Sequence, residues 1–263
     1  MNKKRMDLVP NVGIGDIFLE AFKHYSQPET SIRSISISEQ IIRTYRLAPD
    51  KFLGFLLWVT RTLFPDIEVK TIDIAPNVKL PTLITSTRMY RFFPCIQASM
   101  IPEPYIVFHT KVRMDECIYP SDFDLLFQYL SSVRFPMLVV LLGEKVIEQN
   151  EETRIHNIQG IYTQLMTILP YNNRVLDLTE ESLYSANSVE GFQRDLSIIH
   201  NAVSNISIGW GGNCQIIKAI AKASLHFVST WESPILEAYK GIKDGDQFFN
   251  KIDEFCTAIQ LLV

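Results

Sequence analysis

The sequence predicts an α/β fold in which two Rossmann-like halves face each other across a cleft. Short apolar runs alternate with segments of helical period along most of the chain, which is the pattern of helices layered on parallel strands. Two of these runs lead through glycine-rich turns into a helix. The chain has 263 residues, of which 47% are hydrophobic, so it can bury a large core without disulfides or metal.

The first half is placed at residues 1–102 and begins with a strand ending near Val12, followed by a helix over Ile17–Tyr25. Several prolines then break the regularity, and Ile101–Pro104 is the best boundary between the halves. The other elements predicted here are a strand at Ile32–Ser36, helices near Glu39–Arg46 and Lys51–Phe64, and strands at Ile67–Ile74 and Leu83–Thr85.

The second half is placed at residues 103–240, and its clearest strands are the uninterrupted apolar runs Tyr105–His109 and Met137–Leu142. Residues 241–263 are predicted to form a C-terminal helix, over Gln247–Ile259, that packs back on the body. The other predicted elements are helices at Pro120–Val133, Ile158–Ile168, Glu190–Ala202, Asn213–Ala223 and Pro234–Tyr239, and strands at Arg174–Leu178, Ile206–Ile208 and Leu225–Val228.

Composition excludes several classes of protein. Lys and Arg number 25 against 29 Asp and Glu, and this net charge of −4 argues against a protein that coats nucleic acid. The four cysteines are scattered, without a CxxC pair or a histidine at zinc-ligand spacing, which indicates a reducing compartment. No signal peptide and no apolar run of roughly 20 residues is found, so we expect a cytoplasmic protein with at most peripheral membrane contact.

The motifs of several common enzyme classes are absent. The sequence has no GxGxxG, GxxxxGK(S/T), HExxH or GxSxG, which argues against nicotinamide dehydrogenases, P-loop enzymes, zincins and ordinary serine hydrolases. The pair Asp122/Asp124 begins a helix and the pair Asp244/Asp246 lies in a polar loop. We interpret both pairs as capping and turn residues, and no metal site is predicted.

Two glycine-rich turns are candidates for ligand binding, because glycine lets a ligand approach the backbone and the following helix offers free N–H groups. The first turn contains Gly13, Gly15 and Asp16, and it carries a carboxylate at its mouth. The residues of the second turn are Gly209, Trp210, Gly211, Gly212 and Asn213. The alternative interpretation is a tight turn with close packing of strand and helix.

Polar residues also follow two of the predicted strands. His109, Lys111 and Arg113 come at the end of the first strand of the second half, where ligands of open α/β sheets bind. Lys111 and Arg113 would balance the charge of a phosphate there. Glu144 follows the strand that ends at Gly143, and a glutamate in this position can hold sugar or ribose hydroxyls. The alternative for Lys111 and Arg113 is a solvated basic loop. The alternative for Glu144 is a structural role at the start of a helix.

The order and spacing of these segments resemble the GT-B glycosyltransferases of the ADP-heptose transferase, or lipopolysaccharide heptosyltransferase, kind. The likeness covers Tyr105 to Val228 and is carried by YIVFHTKVR, PSDFDLLFQYLSS, LVVLLGEKVIEQNEE and ISIGWGGNCQIIKAIAKA. In the first half, NVGIGDIFLEAF is similar to the family's opening Gly-Asp turn, which makes Asp16 the expected catalytic base. The family's late turn usually reads Asp-Thr-Gly before a histidine, whereas this chain has Gly209-Trp210-Gly211 and Cys214.

This resemblance implies a glycosyltransferase that moves a sugar from a nucleotide-diphospho-sugar to an acceptor hydroxyl. Lys111, Arg113 and helix N-termini would stabilise the departing diphosphate without metal or another cofactor, and Asp16 would take the acceptor's proton. The expected partners are the nucleotide-sugar donor and a glycan or glycolipid acceptor. Two alternatives stay open: a catalytically silent binding or assembly protein of the same fold, and a sugar-nucleotide epimerase or hydrolase.

Overall fold

The computed structural model describes residues 4–8, 13–26, 30–45, 49–73, 89–110, 120–143, 158–179, 188–208, 216–217, 219–223, 225–228, 247–249 and 251–262. In this part of the chain, one sheet of three strands and one of six are flanked by helices. Every strand runs parallel to its paired neighbours. The predicted α/β class is therefore confirmed.

The bounds of the elements are as follows. The strands are β1 (Lys4–Leu8), β2 (Thr30–Ser38), β3 (Glu68–Ile72), β4 (Tyr105–His109), β5 (Leu138–Leu142), β6 (Val175–Asp177), β7 (Ser204–Ile208), β8 (Leu225–Val228) and β9 (Gln247–Phe249). The helices are α1 (Ile14–Ser26), α2 (Glu39–Tyr45), α3 (Pro49–Leu63), α4 (Pro120–Ser132), α5 (Ile158–Asn172), α6 (Val189–Asn201) and α7 (Ile252–Gln260), with short 3-10 helices at Tyr90–Phe92 and Pro94–Gln97.

The first sheet has the order β1-β2-β3. Successive side chains of a strand point to opposite faces, and β2 accordingly buries Ile35 and Ile37 in the apolar core while Ser36 and Ser38 are buried on the other face. Apolar residues of α1 and α3 belong to the same core as the two isoleucines. The alternation of isoleucine and serine in the sequence therefore marks the helix-covered face of this sheet.

The second sheet has the order β6-β5-β4-β7-β8-β9. From β4 the chain crosses to β5 and β6 on one side, and it later returns to β7, β8 and β9 on the other side. All residues of β4 and β5 are buried, as expected for parallel strands that are covered on both faces. The order of the strands reverses between β4 and β7.

The two faces of the second sheet belong to different cores. The face that carries Tyr105, Val107 and Leu142, here called the inner face, shares one core with α6 and with α1 and α3 of the first half. The opposite face, here called the outer face, carries Ile106 and Phe108 and is covered by α4, α5 and α7. The core beneath the inner face therefore runs without interruption from one half to the other. The division at residue 102 stays a prediction.

Helix α6 is the centre of this shared core. Ser188 caps its N-terminus by accepting a hydrogen bond from the backbone N–H of Gly191 at 3.0 Å. The ring of Phe192 packs edge-on against Phe18 of α1 and Phe55 of α3, with centroid distances of 6.3 and 5.3 Å. On the sheet side, the Tyr105 hydroxyl donates to the carbonyl of Ile198 at 2.9 Å. The helix therefore joins the second sheet to the first half.

Two sequence predictions differ from the structure, and two others lie outside the described residues. Helix α1 begins at Ile14 rather than Ile17, because the Asp16 carboxylate and the Gly13 carbonyl close its first turn. Gln247–Phe249 is an edge strand paired with β8, not the start of a helix, since paired aromatic residues suit an extended chain. The predicted strand at Leu83–Thr85 and the predicted helix at Pro234–Tyr239 lie outside the described residues.

No helix within the described residues has both the length and the apolar character that crossing a membrane requires. The longest described helices, α3 and α5, have 15 residues each. Helix α3 directs Phe55, Leu56 and Val59 into the shared core. Its apolar residues therefore serve packing.

Candidate functional site

The C-terminal ends of β4 and β7 form the candidate site. In open α/β sheets, ligands bind beyond the carboxyl ends of the strands at the point where the strand order reverses. In this sheet that point lies between β4 and β7, which are paired from Ile106 and Ser204 to His109 and Ser207. Of the residues predicted from the sequence, His109 ends β4, and Lys111 and Arg113 come after it in the sequence. The glycine-rich segment Gly209–Asn213 comes after β7 in the sequence.

His109 is buried at the end of β4, with 3% of its surface exposed. Its Nε2 lies 3.2 Å from Oδ1 of Asn205 on β7. The Asn205 amide nitrogen in turn donates to the carbonyl of Ile199 on α6 at 3.0 Å. Burial lowers the pKa of His109 to about 4, although the hydrogen bond to Asn205 acts in the opposite direction. His109 is therefore an uncharged side chain near neutral pH.

The backbone beside His109 ties β4 to β5. The N–H of Thr110 donates to the carbonyl of Leu142 at 2.9 Å. Directly after Leu142, Gly143 has a φ of 135°, a conformation that side chains with a Cβ rarely adopt. The chain thus turns sharply at the end of β5, just before the predicted residue Glu144, which lies outside the described residues.

The end of β6 carries a polar cluster that sequence analysis missed. The Tyr162 hydroxyl donates to Oδ2 of Asp177 at 2.5 Å. Oδ1 of Asp177 accepts from the backbone N–H of Thr179 at 3.0 Å and from its hydroxyl at 2.7 Å. The sequence did contain a signal for this cluster, because Asp177 lies near the end of a predicted strand and ligands of open α/β sheets bind beyond strand ends.

The first glycine-rich turn is the N-terminus of α1. The backbone N–H of Gly13 donates to Oδ2 of Asp16 at 3.1 Å, so the side chain of the third helical residue accepts from the residue before the helix, as in one half of a capping box. A Cβ at Gly13 would collide with this carboxylate. Gly15 is buried in the first turn of the helix. The glycine at position 13 therefore makes room for the folded-back carboxylate of the predicted base.

Helix α6 brings a buried carboxylate into the shared core. Asp195 is 2% exposed, and its Oδ1 lies 3.3 Å from Nη2 of Arg194. Asp195 lies between Phe192 and Ile199 on the apolar stripe of α6. A charged residue on an apolar stripe can be recognised from the sequence alone. An ionised carboxylate is costly to bury unless it is paired and hydrogen-bonded. Sequence analysis did not select it.

Most predicted donor-binding residues lie outside the described residues: Lys111, Arg113, Glu144, Gly209, Trp210, Gly211, Gly212 and Asn213. Of the predicted site, the structure describes Gly13, Gly15 and Asp16 at the start of α1 and His109 at the end of β4. Among the described residues, no three His, Cys, Asp or Glu side chains gather as a ligand set for a metal ion.

A separate depression of about 560 Å³ lies at the opposite edge of the second sheet, lined in part by Leu138 at the start of β5 and Val175 at the start of β6. Arg174 and Glu103 face each other there in a two-pronged ion pair with N–O distances of 2.8 and 2.7 Å. Both side chains are solvent-exposed, so the pair contributes little stability. This depression is remote from the carboxyl ends of the strands.

Comparison with known proteins identifies similar structures but no sequence family. No family model matches the sequence, and no curated protein matches it significantly. The dodecameric iron-containing heptosyltransferase TibC in complex with ADP-D-β-D-heptose is 14% identical, with a TM-score of 0.43. The match covers 86% of this chain and 58% of that chain, so this chain spans less than two thirds of the length of TibC.

A second structure of TibC, the glycosyltransferase from enterotoxigenic E. coli H10407, is 13% identical over the same shares of both chains, with a TM-score of 0.40. The E. coli heptosyltransferase WaaC with ADP-2-deoxy-2-fluoro heptose is 11% identical, with 98% of each chain covered and a TM-score of 0.45. TibC and WaaC are both heptosyltransferases. At these identities and TM-scores the likeness concerns the fold and assigns no activity.

Proposed function

We propose that the chain is a glycosyltransferase that moves a sugar from a nucleotide-diphospho-sugar to an acceptor hydroxyl. The observation that carries the proposal is the reversal of strand order between β4 and β7. Lys111 and Arg113 follow one of these strands in the sequence, and the turn Gly209–Asn213 follows the other. Residue types that suit a diphosphate thus follow both strands at the position where an open α/β sheet binds ligands.

In this proposal the cationic and backbone groups of the second half bind the donor. Arg113 and Lys111 offset the charge that develops on the departing diphosphate, together with N–H groups at helix starts, so that no metal is needed. Glu144 holds hydroxyls of the ribose or the sugar. The uncharged His109 does not contribute to charge compensation. The reaction takes place in the cytoplasm, with a glycan or glycolipid as acceptor.

The first half supplies the proton acceptor. Asp16 lies in the first turn of α1, where its Oδ2 accepts the N–H of Gly13. This hydrogen bond orients the carboxylate, and the flanking Gly13 and Gly15 would let an acceptor approach the backbone. A carboxylate that accepts the hydroxyl proton in the transition state typically contributes about 10²–10⁴ in rate.

A catalytically silent binding protein is the second candidate. The observation that favours it is the same hydrogen bond, because a carboxylate that caps its own helix has a structural reason to be there. The altered late turn, with Cys214 in the place of the family's histidine, points in the same direction. Such a protein would bind the nucleotide-sugar without consuming it.

The experiment compares D16N with D50N, which removes a carboxylate from the first turn of α3. Donor binding is measured by calorimetry with ADP-, UDP- and GDP-sugars, and transfer by following the labelled sugar of the bound donor onto a glycan array. We expect D16N to keep the donor affinity within about threefold and to lose about 10²–10⁴ in transfer rate. D50N should match the unaltered protein in both measurements.

Each outcome separates the candidates. Equal transfer by D16N and the unaltered protein would remove Asp16 from the mechanism. Donor binding without any consumption of the sugar in the unaltered protein would favour the silent binding protein. Consumption of the donor without an acceptor would indicate an epimerase or hydrolase.

A further inference from the structure

The contact between His109 and Asn205 joins three elements of the candidate site. His109 ends β4, Asn205 lies in β7, and the carbonyl of Ile199 belongs to α6. Asn205 is fully buried and His109 almost so. Buried polar groups of this kind are hydrogen-bonded with defined directions, because an unmade bond is costly there.

The direction of each bond follows from the chemistry of the amide. The carbonyl of Ile199 only accepts, so the Asn205 group that faces it is the NH₂, and Oδ1 is left to face His109. An amide oxygen also only accepts, so Nε2 of His109 must carry the proton. In an uncharged imidazole the other nitrogen, Nδ1, then carries a lone pair.

We propose that Asn205 is a positioning residue that holds His109 as the neutral Nε2–H tautomer beside the donor-binding edge. A ligand group that bonds to Nδ1 must then be a hydrogen-bond donor, such as a sugar hydroxyl, and not a phosphate oxygen. The proposal rests on the proposed function only for the identity of this ligand, since the tautomer is a property of the protein alone. The low pKa of His109 agrees with the absence of charge.

The pKa of His109 is set by burial and by the hydrogen bond to Asn205, and no charged side chain within the described residues contributes to its shift. Strands β5 and β7 carry no titratable side chain. On α6, which packs against the same face, Asp195 is paired with Arg194, and Nδ1 of His200 bonds to the carbonyl of Ile220 at 2.8 Å. Tyr105 is the other titratable residue of β4, and burial raises its pKa. None of these groups supplies a carboxylate bonded to His109 among the described residues.

The first test is ring-nitrogen NMR on the full chain, with H109Q used to assign one of the five histidines. We expect His109 to show a protonated Nε2 and no titration between pH 8 and 5.5. In N205D a carboxylate replaces the amide oxygen, which raises the pKa of His109 and makes it titrate within this range. A protonated Nδ1, or titration near pH 6.5 in the unaltered protein, would overturn the proposal even if N205D did not fold.

The second test measures binding of ADP and UDP, and of their sugars, between pH 5.5 and 8. The pH dependence of the unaltered protein is the reference, because its His109 stays uncharged over this range. N205D should bind the diphosphates more tightly as the pH falls, because His109 then gains charge. If no nucleotide binds to any variant, the proposed function fails while the NMR result still decides the tautomer. If nucleotides bind and N205D shows no added pH dependence, the positioning role is wrong.

Discussion

The inner and outer faces of the second sheet are built from the same strands but hold different side chains. On the outer face, α4, α5 and α7 close a core that belongs to the second half alone, and one of its polar pairs is Ser204 with His226, whose Oγ and Nδ1 are 2.8 Å apart. On the inner face, the core extends into the first half, and His109 and Asn205 are bonded across β4 and β7. The outer face therefore serves stability, whereas the inner face also joins the halves beside the candidate site.

The largest expected effect comes from removing the aromatic ring that joins the halves. F192A should lower the free energy of unfolding by about 3–5 kcal/mol, because a fully buried ring leaves a cavity. The matched variant on the outer face is F255A, whose ring is equally buried and packs against Phe249 at 5.7 Å. Chemical denaturation measures both losses.

Hydrogen exchange distinguishes the two variants. Because both lose a similar free energy, any additional loss of protection in α1 and α3 reports the contact between the halves. We expect this additional loss in F192A only. Equal exchange of α1 and α3 in the two variants would show that the shared core does not couple the halves.

The next effect is a loss of stability in acid that depends on the inner-face histidine. The pKa of His109 is about 4 in the folded protein, below its ordinary value of 6.5, so the unfolded chain binds the additional proton between these values. The stabilisation is complete above pH 6.5 and is lost as the pH falls through this window, by about 3 kcal/mol in all.

Comparison with H109Q isolates this contribution, since burial also lowers the pKa of His24 and adds a slope of the same sign. We expect unfolding free energies measured from pH 7.5 to 4.5 to fall more steeply in the unaltered protein than in H109Q. Parallel curves for the two proteins would mean that His109 is not held neutral.

The smallest expected effect concerns glycine at the end of β5. G143A should cost about 1–2 kcal/mol, because the φ of 135° is unfavourable for any residue with a Cβ. The control is G54A in the exposed middle of α3, where a Cβ meets nothing within 4 Å. This control should instead stabilise the protein by about 0.5–1 kcal/mol. If G143A and G54A changed the free energy of unfolding in the same direction, the description of the turn at Gly143 would be contradicted.

Prediction from sequence succeeded where one physical signal dominated. The continuous apolar run Tyr105–His109 is β4 to the residue, since both faces of a central parallel strand are buried. The short strand Gln247–Phe249 was missed, because three residues carry no usable period and only pairing with β8 keeps them extended. The start of α1 was placed too late because the turn closed by Asp16 is a local contact that periodicity does not detect.

The candidate site was predicted only in its outline. Strand ends select His109 as a residue of interest, but its partner Asn205 is 96 residues away and becomes a neighbour only through the order of the sheet. Asp177 and Tyr162 are likewise joined by the packing of α5 on β6. Sequence position thus indicates which edge of a sheet is polar, whereas the pairing of side chains across that edge requires the topology.

The most direct test of the proposed function is the stability of the protein against a panel of nucleoside diphosphates and nucleotide-sugars, with and without magnesium. A ligand present at 100 times its dissociation constant adds about 2.7 kcal/mol to the free energy of unfolding. We expect one nucleotide family to stabilise the protein selectively and to do so equally without magnesium. No stabilisation by any member of the panel would contradict a nucleotide-sugar site, and stabilisation only with magnesium would contradict metal-independent binding.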